Sequence, residues 1–236
     1  GVSVSLIDGH HPNSLRHLPP AADWSIYIDE TGQIFDENAV ELASTDKDVG
    51  RLVALAIPAG VKLPALKGFH GTDASGEATD KVLQQLLDAK VGILGFSVQD
   101  RSARHRYWLG HVLHIVRWVL LQLPVPIESA SAAPSGCKVR VFIEQNCGYT
   151  TKDSLRILSQ TLESEFQSLD AERFASLQLE LAFMDKTNPF NGYVDAVAYT
   201  WGSPSALSKD RLKKSALRGH CLVESSERGL HHLYLN

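Results

Sequence analysis

Between Trp24 and Asp29 the apolar residues of this chain alternate, and from Glu77 onward they recur at helical spacing, separated by short apolar runs. A chain that changes period in this way has few architectures open to it. The first part reads as strands at Trp24 to Asp29, Gln33 to Phe35, and Arg51 to Ile57, the last closed by Pro58-Ala59-Gly60. Three short strands in succession suggest an antiparallel meander. The second part opens with a helix over Glu77 to Lys90, where Val82, Leu83, Leu86 and Leu87 share a helical period. A strand over Val91 to Val98 follows, then a helix from about Arg104 to Leu123 that Pro124 and Pro126 stop. After the small, polar stretch Ser129 to Gly136 come strand Lys138 to Asn146, helix Lys152 to Ser168, strand Leu177 to Met184 and helix Tyr193 to Trp201. The expected fold is α/β: a mixed sheet, an antiparallel meander followed by parallel strands, flanked by helices. No internal repeat is present.

Residues 1 to 22, with Gly9, Pro12, Pro19 and Pro20, lack a sustained period and read as a linker or extended arm. Residues 23 to 205 form the expected domain, and 206 to 236 a helical or strand extension of it. A start at Gly1 without a leader suggests one trimmed domain of a longer polypeptide, leaving room for partner domains or subunits. With 44% hydrophobic and 21% charged residues the chain can bury a real core. No run reaches the roughly 18 apolar residues that span a bilayer, so no membrane partner is expected. The net charge of −4 gives no global attraction to polyanions, and any nucleic acid would have to be met by a local basic patch. Cys137, Cys147 and Cys221 have neither disulfide-framework nor zinc spacing, and read as free thiols of a reducing, cytoplasmic compartment. His111 and His114 sit three apart on a helix without an evident carboxylate partner, and read as core or surface histidines.

Chemistry is carried by the segment Trp24-Ser25-Ile26-Tyr27-Ile28-Asp29-Glu30-Thr31-Gly32, where an alternating strand ends in two adjacent carboxylates and a turn. Carboxylates held on rigid backbone at a sheet rim offer the hard oxygens that bind Mg²⁺ or Mn²⁺, although Asp and Gly are also what a β-turn asks for. Glu144 ends the strand Val-Phe-Ile-Glu, and Asp195 lies on the first turn of the last helix in Asn-Gly-Tyr-Val-Asp-Ala-Val-Ala-Tyr. In a sheet with parallel strands, ligands gather at the carboxyl ends. Three acids distant in sequence are thereby expected to converge.

These three segments resemble the ribonuclease H superfamily, with an Asp, Glu and helical Asp layout shared by RuvC-like resolvases. More narrowly, they are similar to a little-characterised bacterial domain family that opens with a Tyr-Ile-Asp-Glu-Ser-Gly signature and closes with an Ala-Asp-rich helix. The resemblance covers roughly residues 24 to 202. It implies a ribonuclease H-like sheet and a metal-dependent nuclease that hydrolyses phosphodiesters with two divalent ions, Mg²⁺ or Mn²⁺. In that scheme Asp29 bridges both ions, Glu144 and Asp195 each hold one, and Glu30, Asp185 or Asn191 assists. Thr31 replaces the signature serine. Asn191 stands where resolvase-like relatives carry another acid or a histidine, and its amide can ligate but cannot take a proton. Phe69-His70-Gly71-Thr72-Asp73 resembles the His-containing loop of the same bacterial family, which makes His70 a candidate for phosphate contact or proton relay.

Substrate contacts, to DNA or RNA, are expected from Arg101, Arg104 and Arg106 with His105, Tyr107 and Trp108 beside them, and from Lys186 and Asn191. A second basic cluster, Lys209, Arg211, Lys213, Lys214 and Arg218, reads more simply as a solvated helix face. The main alternative is a catalytically inactive module of the same fold that binds nucleic acid or assembles within a larger bacterial defence or mobile-element protein. A kinase of the actin and sugar-kinase architecture is disfavoured, because Cys147-Gly148-Tyr149-Thr150-Thr151 is a poor phosphate loop and no glycine-rich adenosine segment follows. The sequence contains no Walker loop, no Gly-x-Gly-x-x-Gly and no Gly-x-Ser-x-Gly elbow.

Overall fold

A computed structural model of the chain describes residues 2–7, 22–31, 50–66, 68–89, 92–98, 108–122, 137–144, 152–168, 176–185, 188–202, 221–226 and 229–234. In chain order the elements are β1 (Ser3–Leu6), β2 (Trp24–Thr31), β3 (Gly50–Pro58), α1 (Gly76–Ala89), β4 (Gly92–Val98), α2 (Trp108–Gln122), β5 (Lys138–Glu144), α3 (Lys152–Ser168), β6 (Gln178–Met184), α4 (Asn191–Gly202), β7 (Cys221–Ser226) and β8 (Gly229–Tyr234). The strands join in one mixed sheet, ordered β1-β6-β5-β2-β3-β4-β7-β8.

The middle of the sheet is apolar on both faces, and the strand period decides what each face meets. Ile26, Ile28, Leu52, Ala54, Val139, Val141, Ile143, Leu179 and Leu181 turn to one side. There they pack with Val112, Ile115, Val116 and Val119 of α2 and Leu155, Leu158, Leu162 and Phe166 of α3. Tyr27, Val53, Leu55, Ile57 and Met184 turn to the other. Val82, Leu83 and Leu86 of α1 cover them together with Tyr193, Val194, Val197 and Trp201 of α4. The result is helices on both faces of a sheet, with α4 seated across β2 and β3 and touching α1.

Local chemistry starts and stops these elements. Ser75 caps α1, its Oγ accepting the Ala78 N–H at 3.1 Å. The turn after β3 is closed by the Val61 N–H donating to the Pro58 carbonyl at 3.3 Å. Gly60 takes φ +88° at its third position, as a type II turn demands. Before α4, the Asn188 side chain accepts the Phe190 N–H at 2.9 Å and its carbonyl accepts the Asn191 N–H at 3.1 Å.

The antiparallel meander is β2-β3-β4, and α1 lies inside it. Gly92 pairs with Ala56, so the excursion from residue 59 to 91 leaves and re-enters the sheet at one end, as a hairpin loop would. The short strand expected at Gln33 to Phe35 lies outside the described residues. On the other side of β2 the strands are parallel: β2 with β5, β5 with β6, and β6 with β1. Four residues of the opening segment, expected as arm or linker, are thus hydrogen-bonded into the sheet, and Val2 beside them is buried. In the C-terminal extension, β7 runs parallel to β4 and β8 returns antiparallel. No helix among the described residues is long and apolar enough to cross a membrane.

Cys137, at the start of β5, is buried in the α2–α3 side of the core. Burial pushes its thiol from 9.0 up to about 11, and the Asp23 carboxylate adds to the rise. Between those values the unfolded chain has lost a proton that the native state keeps, so stability must fall as pH rises. Burial likewise raises the Tyr27 phenol, against a Ser25 hydrogen bond and the Arg140 charge, which carries the decline to higher pH. Urea unfolding is expected to show full stability below about pH 9 and a fall through about pH 11, shallower in Cys137→Ala when each protein is referred to its own neutral-pH value.

Candidate active site at the carboxyl ends of the parallel strands

Because β6, β5 and β2 run parallel and adjacent, their carboxyl ends share one edge of the sheet. Ile28 pairs with Ile143, so Asp29 and Glu144 are the next residues in register on neighbouring strands. Glu144 in turn pairs with Met184, and Asp185 follows at the end of β6. Side chains two apart on a strand share a face. Tyr27 stacks on Phe142 with centroids 5.1 Å apart and planes at 12°, and this fixes Asp29 and Glu144 on that same face. Asp29 is 2% exposed, an unusually buried position for a carboxylate, whereas Glu144 is partly exposed. Phe190 leans on Tyr27 at 5.6 Å and Tyr193 on Phe190 at 6.5 Å, so one side of the acids is walled by aromatic rings. Apolar walls of this kind weaken solvent screening and strengthen any charge interaction beside them.

Helix α4 covers this face. Its first residue, Asn191, is 4% exposed and donates from Nδ2 to the Asp185 carbonyl at 3.3 Å, tying the helix start to the end of β6. The Asn191 Oδ1 is buried with no hydrogen-bond partner. Asp195, four residues on, shares the Asn191 side of the helix. The helix begins two residues earlier than the periodicity indicated, so Asp195 falls on its second turn rather than its first. The Asn188 turn nucleates it there, a local signal that hydrophobic spacing does not carry.

The segment between β3 and α1 then lies against α4. The Leu66 N–H donates to the Pro189 carbonyl at 2.9 Å, and the Tyr193 hydroxyl donates to the Pro64 carbonyl at 2.5 Å. The Gly71 N–H donates to Asp195 Oδ2 at 2.6 Å, a short bond of the kind an ionised acceptor makes. This brings His70 to the helix that carries Asp195. Its Nδ1 is buried without a hydrogen-bond partner, 3.9 Å from Asp73 Oδ2, while the side chain retains 34% exposure.

The structure therefore brings Asp29 and Glu144 to one edge and one face, with Asp185 at the end of the next strand and Asn191 tied to its carbonyl, while Asp195 holds the loop that carries His70. Among the described residues no group of three His, Cys, Asp or Glu side chains lies close enough to hold one metal ion. Glu30 belongs to β2, but its side chain is outside the described set, as are Arg101, Arg104, His105, Arg106, Tyr107, Lys186 and the Lys209–Arg218 cluster. The contact that sequence reasoning missed is the Gly71 amide on Asp195. Its only sequence signal is a glycine directly after a loop histidine. No family model matches the chain, and no curated protein or solved structure proves similar to it.

A Cβ built on Gly71 would stand 2.7 Å from both Cβ and Cγ of Tyr199, too close for any side chain. Gly71→Ala is therefore expected to lift the loop off α4 and destabilise the protein by about 1–3 kcal/mol. Urea unfolding measures the loss, and native-state exchange of the residue 71 amide should speed up more than that of β2 and β5 amides if the opening is local.

Proposed function

We propose that the chain is a ribonuclease H-like, metal-dependent nuclease acting on DNA or RNA phosphodiesters. The observation that carries the reading is the register of Asp29 and Glu144 on adjacent parallel strands, on the face that α4 covers. The sheet supports it: an antiparallel meander, β2-β3-β4, continues on the far side of β2 into parallel β5 and β6, the layout the resemblance implies. The donor set suits the ion chemically, because hard anionic oxygens and an amide carbonyl are what Mg²⁺ and Mn²⁺ take. Asp29 and Glu144 would hold such ions, with Asp195 and the Asn191 amide beside them; divalent ions bound there supply an activated water and a stabilised leaving oxygen. The chain's own groups set the surroundings. Tyr27, Phe142 and Phe190 limit water beside the acids, and the His70 loop adds a group able to hold or move a proton next to a phosphate.

The second reading is a binding or assembly module of the same fold. The lack of a three-residue metal group among the described residues favours it. Cleavage of labelled single- and double-stranded DNA and RNA with Mn²⁺ separates the two. As a nuclease, the native chain cuts at least one substrate, and Asp29→Ala and Glu144→Ala each lose about a hundredfold or more while remaining folded. No cutting on any substrate, with equal nucleic-acid binding by all three proteins, would establish the module instead.

A further inference from the structure

We infer that Asp195 is a positioning residue that acts through the Gly71 amide to hold His70 against the acidic edge, where the imidazole contacts a phosphate oxygen of the substrate. The identity of the substrate rests on the nuclease reading; the positioning does not. Both neighbours of His70 are seated on α4. Phe69 meets the helix at Gly192, where an added Cβ would come 3.0 Å from its own Cβ, and Gly71 is pinned between the Asp195 carboxylate at 2.6 Å and the Tyr199 ring. The His70 carbonyl accepts the Asp73 and Ala74 N–H groups, each at 3.0 Å, which leaves its backbone little freedom. What the loop presents after these restraints is an imidazole that makes no hydrogen bond within the fold through its buried Nδ1 and is still partly open to solvent. A loop held on both flanks of His70, by Phe69 against Gly192 of the helix and by Gly71 against Tyr199, carries an imidazole whose Nδ1 makes no hydrogen bond and has only the Asp73 carboxylate 3.9 Å away, and it has placed that histidine for something that binds. A phosphate oxygen fits, since an imidazole can donate to it and the adjoining strand ends suit phosphodiester chemistry. Asp195 Oδ2 spends its short bond on the loop, a different task from the shared metal ligation that the family resemblance implies.

The test compares Asp195→Ala, Asp195→Asn, His70→Gln and the double variant Asp195→Ala/His70→Gln, all in the full chain. Three readouts are taken: Mn²⁺-dependent cleavage, Mn²⁺ affinity by calorimetry, and the His70 ring signals in ¹H–¹⁵N NMR spectra. An asparagine oxygen still accepts the Gly71 N–H, so Asp195→Asn should recover most of the activity that alanine loses, to within about fivefold of the native chain. Asp195→Ala should fall about a hundredfold, to the level of His70→Gln, and the double variant no further, because both changes remove one arrangement. His70 ring signals should shift or broaden in Asp195→Ala and stay native in Asp195→Asn, with Mn²⁺ affinity unchanged in both. The inference is overturned if Asp195→Asn loses activity and Mn²⁺ binding together, or if the His70 signals ignore Asp195→Ala. Should Asp195→Ala fail to fold, Asp195→Asn alone decides, since a metal ligand and a hydrogen-bond acceptor predict opposite results for it. If the native chain cuts nothing, the nuclease reading falls by itself. The ring signals then decide: movement with Asp195→Ala and rescue by Asp195→Asn sustain the positioning, and unmoved signals refute it.

Discussion

Parallel pairing between β2 and β5 is the constraint from which the rest of the molecule follows. Two parallel neighbours must be linked by a long crossover, and the chain between them supplies β3, α1, β4 and α2. Parallel pairing also puts the carboxyl ends of both strands on one edge, which is why Asp29 and Glu144 meet although more than a hundred residues separate them. Had β5 run antiparallel, its Glu144 would sit at the opposite end of the sheet and no shared edge would exist. The Tyr27–Phe142 stack two residues below locks the facing of the pair, because a slip of one residue would turn both acids into the opposite core.

Helix α4 translates that edge into a site with two sides. It is pinned at its start by the Asn188 turn and the Asn191 amide on the end of β6, then buries Tyr193, Val194 and Val197 against β2 and β3. With one face committed to the sheet, its remaining surface is what the loop before α1 lies upon. The short bond from Gly71 to Asp195 and the close approaches at Gly71 and Gly192 join loop and helix into one unit. The acidic edge and the His70 loop are therefore mechanically linked, although no covalent neighbour connects them.

Much of the fold could be read from patterning. The helices at α1, α2, α3 and α4 and the strands β2, β3, β4, β5 and β6 all follow from whether apolar residues recur at two or at 3.6. What escaped that reading was partnership. Ser3–Leu6 is too short and polar to announce itself as a strand, and its place beside β6 comes from an open edge rather than from its own composition. The antiparallel pairing was legible as a motif, and β4, beyond an interposed helix, extends it by pairing with β3. Alternation shows that a strand exists and is silent on which neighbour it chooses. Of the candidate site, Asp29 and Glu144 stood out as acids at the ends of apolar runs and Asp195 as an acid within one. The Gly71 bond was not, because a backbone N–H has no sequence identity.

The sequence by itself determined the elements, their two buried faces, and the presence of acids near the ends of β2 and β5 and in the second turn of α4, since each depends on local period and on residues that cannot be buried cheaply. Only the tertiary structure decided that β1 joins the sheet, that β4 closes the meander after α1, and that Asp195 accepts the Gly71 N–H. Those outcomes depend on strand pairing and on the space left where a glycine has no side chain. Both are relations between segments far apart in the chain, and no local preference encodes them.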